Sequence, residues 1–156
     1  MKRGGQRVTR AAKVHARFTQ ADVRAAMAGV RGSVSFQAPL REYTSFKIGG
    51  PADVVVEPAD IEDVCLVVQQ ARARKIPLFV LGGTNLLVRD GGIRGIVVSL
   101  ARLRGIKEEP GSVLYVEGGV GMPTLIGYAI RHSLAGLEWA AGIPGTVAGC
   151  VVMNAG

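Results

Sequence analysis

The chain has 156 residues, 48% of them hydrophobic and 20% charged, and carries a formal net charge of +7. This length and composition predict one globular domain, or two small ones, large enough to bury most of their apolar surface. No uninterrupted apolar run reaches the length that spans a bilayer, so we expect a soluble chain without a membrane partner.

The positive charge lies in the N-terminal segment 1–31. This segment has eight Lys or Arg side chains against one acidic residue, whereas the rest of the chain has eleven of each. It lacks the apolar stretch of a secretion signal. Phe18 is its only aromatic residue, and single-stranded nucleic-acid binding normally uses aromatic side chains among the charges. We predict a solvated tail that is disordered over residues 1–17, with a small basic nucleic-acid binder as the alternative.

The two cysteines, Cys65 and Cys150, each lie among apolar neighbours. This setting predicts small core residues in a reducing compartment rather than a disulfide. His15 and His132 are the only histidines, and no Cys/His cluster has the spacing of metal ligands. We therefore expect no metal site.

The first elements alternate between helix and strand. Thr19 begins a sequence similar to a capping box, which predicts a short helix ending near Gly29. Residues 35–44 hold few periodic cues, and residues 48–51 predict a tight turn. A short apolar run then predicts a strand over 52–57.

A helix is predicted from the N-cap candidate Asp60 through residue 71. Its apolar side chains recur at helical spacing, and its acidic residues precede its basic ones, as the helix dipole favours. Further strands are predicted over 78–81, 86–88 and 96–100, with a turn at 89–92. The order strand, helix, strand, strand predicts an α+β unit with at least one parallel strand pair.

The second part of the chain begins with a hairpin turn predicted at 108–111 and a strand at 113–117. Gly121 and Pro123 then open a helix that ends near His132. The expected organisation is a basic tail and short helix over 1–33, a first lobe over 34–103 and a second lobe over 104–156.

Two glycine-rich loops, at 81–88 and 141–149, are the most informative feature of the chain. Each is an apolar run broken by glycines and one threonine. Backbone N–H groups and a hydroxyl in such a loop can line an anion-binding concavity, so two of them predict one ligand with a long phosphate-bearing body. The alternative is a pair of ordinary turns between buried strands. Neither a Rossmann fingerprint nor a Walker A sequence occurs.

No carboxylate pair, Ser/His/Asp set or Cys/His set stands in recognisable order. His132 and Glu138 are interpreted as helix-end and surface residues. The sequence thus predicts a binding scaffold without evident catalytic residues.

Four segments, at 44–52, 82–88, 137–146 and 152–156, occur in one order that closely resembles the N-terminal half of the UDP-N-acetylenolpyruvoylglucosamine reductase family. These are flavoenzymes of peptidoglycan precursor synthesis. The resemblance covers residues 35–156 and leaves the basic tail outside.

The resemblance implies the two-lobed α+β FAD-binding fold of the vanillyl-alcohol oxidase and p-cresol methylhydroxylase type, in which the lobes clamp an extended FAD. In the first lobe it implies pyrophosphate contacts from Gly82, Gly83, Thr84, Asn85 and Leu86. From the second lobe it implies contacts from Ile143, Pro144, Gly145, Thr146 and Gly149, with Asn154 and Gly156 near the flavin.

Three positions depart from the family pattern. Thr84 stands where the family usually has serine, which keeps the hydroxyl. Cys150 stands where alanine is usual, and Ala148 where glycine is usual. We expect the added Cβ of Ala148 to crowd a close approach of the backbone to the ligand.

The resemblance also implies a reaction. In the family, hydride passes from NADPH to the flavin and on to an enolpyruvyl UDP-sugar substrate, with a serine as the acid. The family's arginine, serine and glutamate have no counterpart in these 156 residues. We therefore expect a C-terminally incomplete part of a bacterial, cytoplasmic reductase that has no catalytic residues of its own.

On this interpretation the chain alone binds FAD weakly or not at all, shows no turnover, and exposes the apolar residues 151–153. The alternative is an inactive or split flavin-binding module that requires a second polypeptide for the C-terminal half.

Overall fold

A four-stranded sheet organises the first part of the chain in the computed structural model, which describes residues 18–82 and 86–155. Its strands are β1 Ser33–Pro39, β2 Pro51–Glu57, β3 Leu78–Leu81 and β4 Ile93–Ser99. The spatial order is β1-β2-β4-β3, with β1 antiparallel to β2 and β4 parallel to both of its neighbours. The predicted parallel pairing is confirmed.

Two helices cover one face of this sheet. Helix α1 spans Gln20–Ala26 and begins with the predicted capping box, in which Thr19 Oγ1 accepts from the amide of Asp22 at 3.2 Å. Helix α2 spans Ile61–Ala73, and the Asp60 carboxylate accepts from the amide of Asp63 at 3.0 Å. Both helix starts are therefore fixed by their own N-cap side chains.

The central strands β2 and β4 are buried on both faces, which is why their sequences are continuous apolar runs. On the helix-covered face, Val54 and Ile96 pack with α1 and α2 residues in one apolar cluster. On the opposite face, Val55 and Val97 pack with Leu40 in a second cluster. This second cluster extends to the end of β3, because Leu81 belongs to it.

A buried carboxylate, Asp63, fixes the chain around the start of β1. Its oxygens accept from the amides of Arg31 at 3.1 Å, Gly32 at 2.7 Å and Ala59 at 3.0 Å. Burial opposes ionisation, but these backbone hydrogen bonds and the nearby Arg31 charge outweigh it, so the pKa of Asp63 lies below its usual value.

The second part of the chain contains a hairpin and two helices. Its elements are β5 Ile106–Glu109, β6 Val113–Val116, α3 Met122–Arg131 and α4 Val147–Met153. The 3-10 helix Glu138–Ala140 also lies in this part, whereas the 3-10 helix Leu40–Glu42 lies between β1 and β2. A separate apolar cluster built on Val120, Leu125 and Ala140 holds the elements of the second part together.

One predicted strand is wrong. Residues 86–88 form no strand, because β4 already pairs on both of its edges with β2 and β3. Val88 instead enters the second apolar cluster, and its Cβ lies 2.7 Å from where a Cβ on Gly49 would stand. Gly49 has φ of +134°, so only glycine fits easily at this approach.

The core position predicted for the two cysteines is wrong for Cys65. Cys65 is exposed on α2, whose buried face is formed by Asp63, Val67 and Ala71 instead. Cys150 is half-buried in α4 and packs against the apolar cluster of the second part of the chain. The apolar sequence neighbours of Cys65 do not predict its burial, because an α-helix places adjacent residues on different faces.

Other predictions stay untested. Residues 1–17, for which disorder is predicted, lie outside the described residues. The division into lobes at residue 103 stays a prediction. In the described ranges, no helix is long and apolar enough to cross a membrane.

Candidate cofactor-binding site

A cavity of about 440 Å³ lies between the end of β3 and the second glycine loop with α4. Most of the lining residues have apolar side chains or are glycines. The lining residues are Tyr43, Phe79, Val80, Leu81, Gly82, Leu86, Ser99, Leu100, Ala101, Gly119, Pro144, Gly145, Thr146, Ala148, Gly149, Cys150, Val152, Met153 and Ala155.

This cavity brings the described parts of both glycine loops together. Gly82 and Leu86 contribute from the first loop, and the second contributes Pro144, Gly145, Thr146 and Gly149. The expectation that both loops face one cleft therefore agrees with the geometry. Whether these residues bind a cofactor stays a prediction.

The remaining candidate residues lie elsewhere. Ile143 packs in the apolar cluster of the second part of the chain rather than lining the cavity. Asn154 ends α4 in a left-handed conformation with φ of +49° and is also outside the lining. Gly83, Thr84, Asn85 and Gly156 fall outside the described residues.

The second loop is held by its own backbone. The Gly145 carbonyl accepts from Met122 N at 2.9 Å, and Val147 N donates to the Val120 carbonyl at 2.9 Å. Thr146 then caps α4, because its hydroxyl accepts from the amide of Gly149 at 3.3 Å. Gly145 has φ of +109°, a conformation that side chains rarely adopt.

The amides of Gly145 and Thr146 have no hydrogen-bond partner within residues 18–82 and 86–155. Both residues line the cavity. Because a backbone N–H is an obligatory donor, these two amides suit an anionic ligand.

The cavity also has apolar lining. Phe79 and Val80 of β3 contribute to it, as do Val152 and Met153 of α4. Val80 is 50% exposed and Val152 is 82% exposed. A ligand with an anionic group and a flat apolar group would match both kinds of lining.

The glycine at the first loop leaves room for such a ligand. A Cβ built on Gly82 would meet nothing within 4 Å, so the space in front of this residue is open. Of the described lining residues, only Tyr43 and Cys150 carry titratable side chains. A phosphate in the cavity would therefore be met by backbone and hydroxyl donors rather than by Lys or Arg.

The added methyl of Ala148 is accommodated by its neighbour. A Cβ built on Gly118 would lie 2.9 Å from the Ala148 Cβ, so the methyl occupies the space that a side chain at 118 would need. The Ala148 amide also donates to the Gly118 carbonyl at 3.1 Å. Ala148 also lines the cavity, so the expected crowding of the ligand by its methyl stays a prediction.

Sequence reasoning missed several lining residues, including Tyr43 and Phe79. Both adjoin segments that it had singled out: Tyr43 precedes the segment 44–52, and Phe79 belongs to the strand that leads into the first loop. Their position next to those segments was the sequence signal that could have identified them as lining residues.

His132 and Glu138 lie outside the cavity lining. His132 Nδ1 is 2.6 Å from the Glu108 carboxylate, and its ring stacks on Tyr128. Glu138 accepts from the amide of Gly136 at 2.8 Å, and hydrogen bonds from its own amide and from Gly136 lower its pKa. Among the described residues, no group of three His, Cys, Asp or Glu side chains could hold a metal ion.

Comparison with known proteins places the chain among FAD-binding proteins. Residues 52–156 match the family model described as "FAD binding domain". Over 126 residues the chain is 51% identical to the UDP-N-acetylenolpyruvoylglucosamine reductase of Rubrobacter xylanophilus, an alignment that covers 80% of this chain and 42% of the relative. The chain thus spans about two fifths of the length of the curated relatives that it matches.

Solved structures of flavoenzymes are also similar to this chain. The crystal structure of UDP-N-acetylenolpyruvylglucosamine reductase from Thermus caldophilus superposes with a TM-score of 0.60 at 34% identity, covering 81% of this chain and 43% of that one. A flavoenzyme involved in caerulomycin biosynthesis superposes with a TM-score of 0.55 at 15% identity, over 65% of this chain and 22% of that one. The second likeness concerns the fold alone, and it confirms the predicted α+β flavoenzyme fold.

Proposed function

The chain belongs to the FAD binding domain family, and on this premise we propose that the cavity between β3 and α4 is its FAD site. The observation that carries the proposal is the meeting of the described parts of two glycine loops at one cavity that is lined both by free backbone amides and by apolar side chains. FAD has a diphosphate and a flat ring system, and so offers chemistry that matches both kinds of lining.

Different residues would contact the diphosphate and the ring system of FAD. Gly82, Gly145 and Thr146 would present backbone to the diphosphate, and the open space at Gly82 lets it approach. Phe79 and Val152 would cover apolar ring surface and keep water from it. When bound, FAD would supply the hydride-transfer chemistry of the wider reaction.

A pair of glycine variants tests this proposal. Gly82→Val places a branched side chain in the open space of the cavity, and we expect it to weaken FAD binding by about tenfold or more. Gly91→Val is the matched control, since Gly91 is also exposed and a Cβ there also meets nothing within 4 Å. Flavin fluorescence titration gives both affinities, and equal affinities for the two variants would contradict the proposal.

We extend the proposal to the reaction of the relatives. Their printed name and the identity to them support a part in the reduction of an enolpyruvyl UDP-sugar. As the family resemblance implies, we propose NADPH as the hydride donor and cytoplasmic peptidoglycan synthesis as the setting. The described cavity-lining side chains that carry an O–H or S–H proton are Tyr43, Ser99, Thr146 and Cys150. NADPH oxidation that depends on the enolpyruvyl UDP-sugar tests this extension.

A second candidate is a flavin-binding module that acts with a separate polypeptide. The exposed side chains of Val151, Val152 and Met153 on α4 support it, because such a patch is commonly covered by another surface. Gel filtration with and without a polypeptide equivalent to the rest of a relative would separate the two candidates. The split module predicts a stable complex, and the absence of one would contradict it.

A further inference from the structure

Tyr43 stands at the edge of the cavity on a rigid piece of backbone. It follows the 3-10 helix Leu40–Glu42, and its amide donates to the Leu40 carbonyl at 3.0 Å. Leu40 is fully buried and its amide donates to the Gly50 carbonyl at 3.1 Å. On the other side, the hydroxyl of buried Thr44 donates to the Ile48 carbonyl at 3.1 Å. The backbone at residue 43 is thus fixed from both directions.

The ring of Tyr43 packs in the same apolar cluster as the two residues that flank segment 82–85. It is half-buried and packs against the cluster that contains Leu81, while Leu86 packs against the same cluster. Tyr43 also lines the same cavity as Gly82, whose backbone is proposed to face the diphosphate.

The hydroxyl of Tyr43 differs from the rest of the ring. The hydroxyl makes no hydrogen bond to any residue in 18–82 or 86–155. Every buried side-chain N or O atom in those ranges has a hydrogen-bond partner, so a hydroxyl without one is not buried. The hydroxyl is consequently accessible, although its ring is packed. By contrast, the Tyr128 hydroxyl donates to the Glu108 carboxylate at 3.0 Å.

We infer that Tyr43 is a ligand-binding residue whose hydroxyl donates a hydrogen bond to a phosphate oxygen of FAD. This inference rests on the proposed function and adds to it a side-chain donor from outside the glycine loops. A fixed ring with an accessible hydroxyl loses little freedom when its hydroxyl binds. No Lys or Arg lines the described cavity. A neutral hydroxyl donor there would therefore contribute more to the binding of the negatively charged diphosphate than it would beside a cationic side chain.

The test compares Tyr43→Phe with Tyr115→Phe. Tyr43→Phe keeps the packed ring and removes only the hydroxyl, and Tyr115, which lies exposed on β6, is the matched control. We expect Tyr43→Phe to weaken FAD binding about tenfold, the size of effect typical for a hydrogen bond to a charged acceptor. Tyr115→Phe should leave the affinity within about twofold. The unfolding midpoint without FAD should be the same for both variants.

Phosphorus NMR of bound FAD locates the effect. Tyr43→Phe should shift at least one of the two diphosphate resonances, and Tyr115→Phe should shift neither. Unchanged affinity, or weakened binding with unchanged phosphorus resonances, would overturn the inference while leaving the proposed FAD site intact. The family resemblance implies weak or absent FAD binding by the chain alone, whereas the cavity predicts measurable binding. A wild-type chain that fails to bind FAD would therefore contradict the proposed function and the inference together.

Discussion

The central strands of the sheet and helix α4 are both valine-rich, but their surroundings are opposite. Residues Val54–Val56 of β2 are at most 1% exposed, whereas Val151 and Val152 of α4 are 75% and 82% exposed. No residue of α4 is buried. Identical side chains therefore stabilise the fold in one region and form the wall of a cavity in the other. The difference shows which part is built for stability and which is available to a ligand or partner.

The largest expected effect separates these two regions directly. Ile96→Ala, in β4, should lower the free energy of unfolding by about 2–5 kcal/mol, because it removes a fully buried side chain and leaves a cavity. Val152→Ala, on α4, should change it by about 0.5 kcal/mol or less. Urea unfolding measures both. Similar losses in the two variants would mean that α4 is packed rather than exposed.

A smaller effect is expected at the buried carboxylate of Asp63. Asp63→Asn replaces an acceptor of three backbone amides by a group with a single oxygen acceptor, and should lower the free energy of unfolding by about 2 kcal/mol. Asp90→Asn, at an exposed position, is the control and should have little effect.

The same carboxylate makes stability depend on pH. The folded-state pKa of Asp63 is lowered, so its contribution is fully present above the unfolded pKa, at about 4, and is lost as pH falls through the folded value. Unfolding curves at a series of acidic pH values should show less loss of stability in Asp63→Asn than in the wild type. An identical pH dependence would contradict this assignment.

A still smaller effect is expected on the surface of the second part of the chain. His132 and Glu108 form a half-exposed pair at 2.6 Å, and such pairs contribute little. His132→Ala should cost about 1 kcal/mol or less in thermal or urea unfolding. A loss as large as that of Ile96→Ala would show that the contact between α3 and the hairpin stabilises the whole chain.

The elements predicted well from sequence are those with a local cause. The capping box at Thr19 and the N-cap at Asp60 mark helix starts by contacts within three residues, and both are found in the structure. Strand β2 was predictable because a strand buried on both faces is a continuous apolar run. Signals of this kind require no knowledge of distant residues.

The elements that were missed depend on partners far along the chain. Strand β1 forms because β2 lies beside it, and Gln37, with φ of +51°, interrupts its pattern. Helix α4 was not predicted because its sequence was interpreted as a glycine loop, although Thr146 caps it.

The candidate site shows the same limit. The two glycine loops were identifiable as separate segments, and a shared ligand was predicted from their glycines and hydroxyls. Tyr43 could not be included, because the connection between β1 and β2 approaches the cavity only through tertiary packing around Leu40. Sequence thus identified the backbone of the site better than its side chains.

A crystal structure of the chain grown with FAD tests the central claim most directly. The account predicts the diphosphate beside Gly82 and the amides of Gly145 and Thr146, with a ring system against Phe79 and Val152. FAD bound away from this cavity, or a cavity that stays empty at saturating FAD, would contradict it.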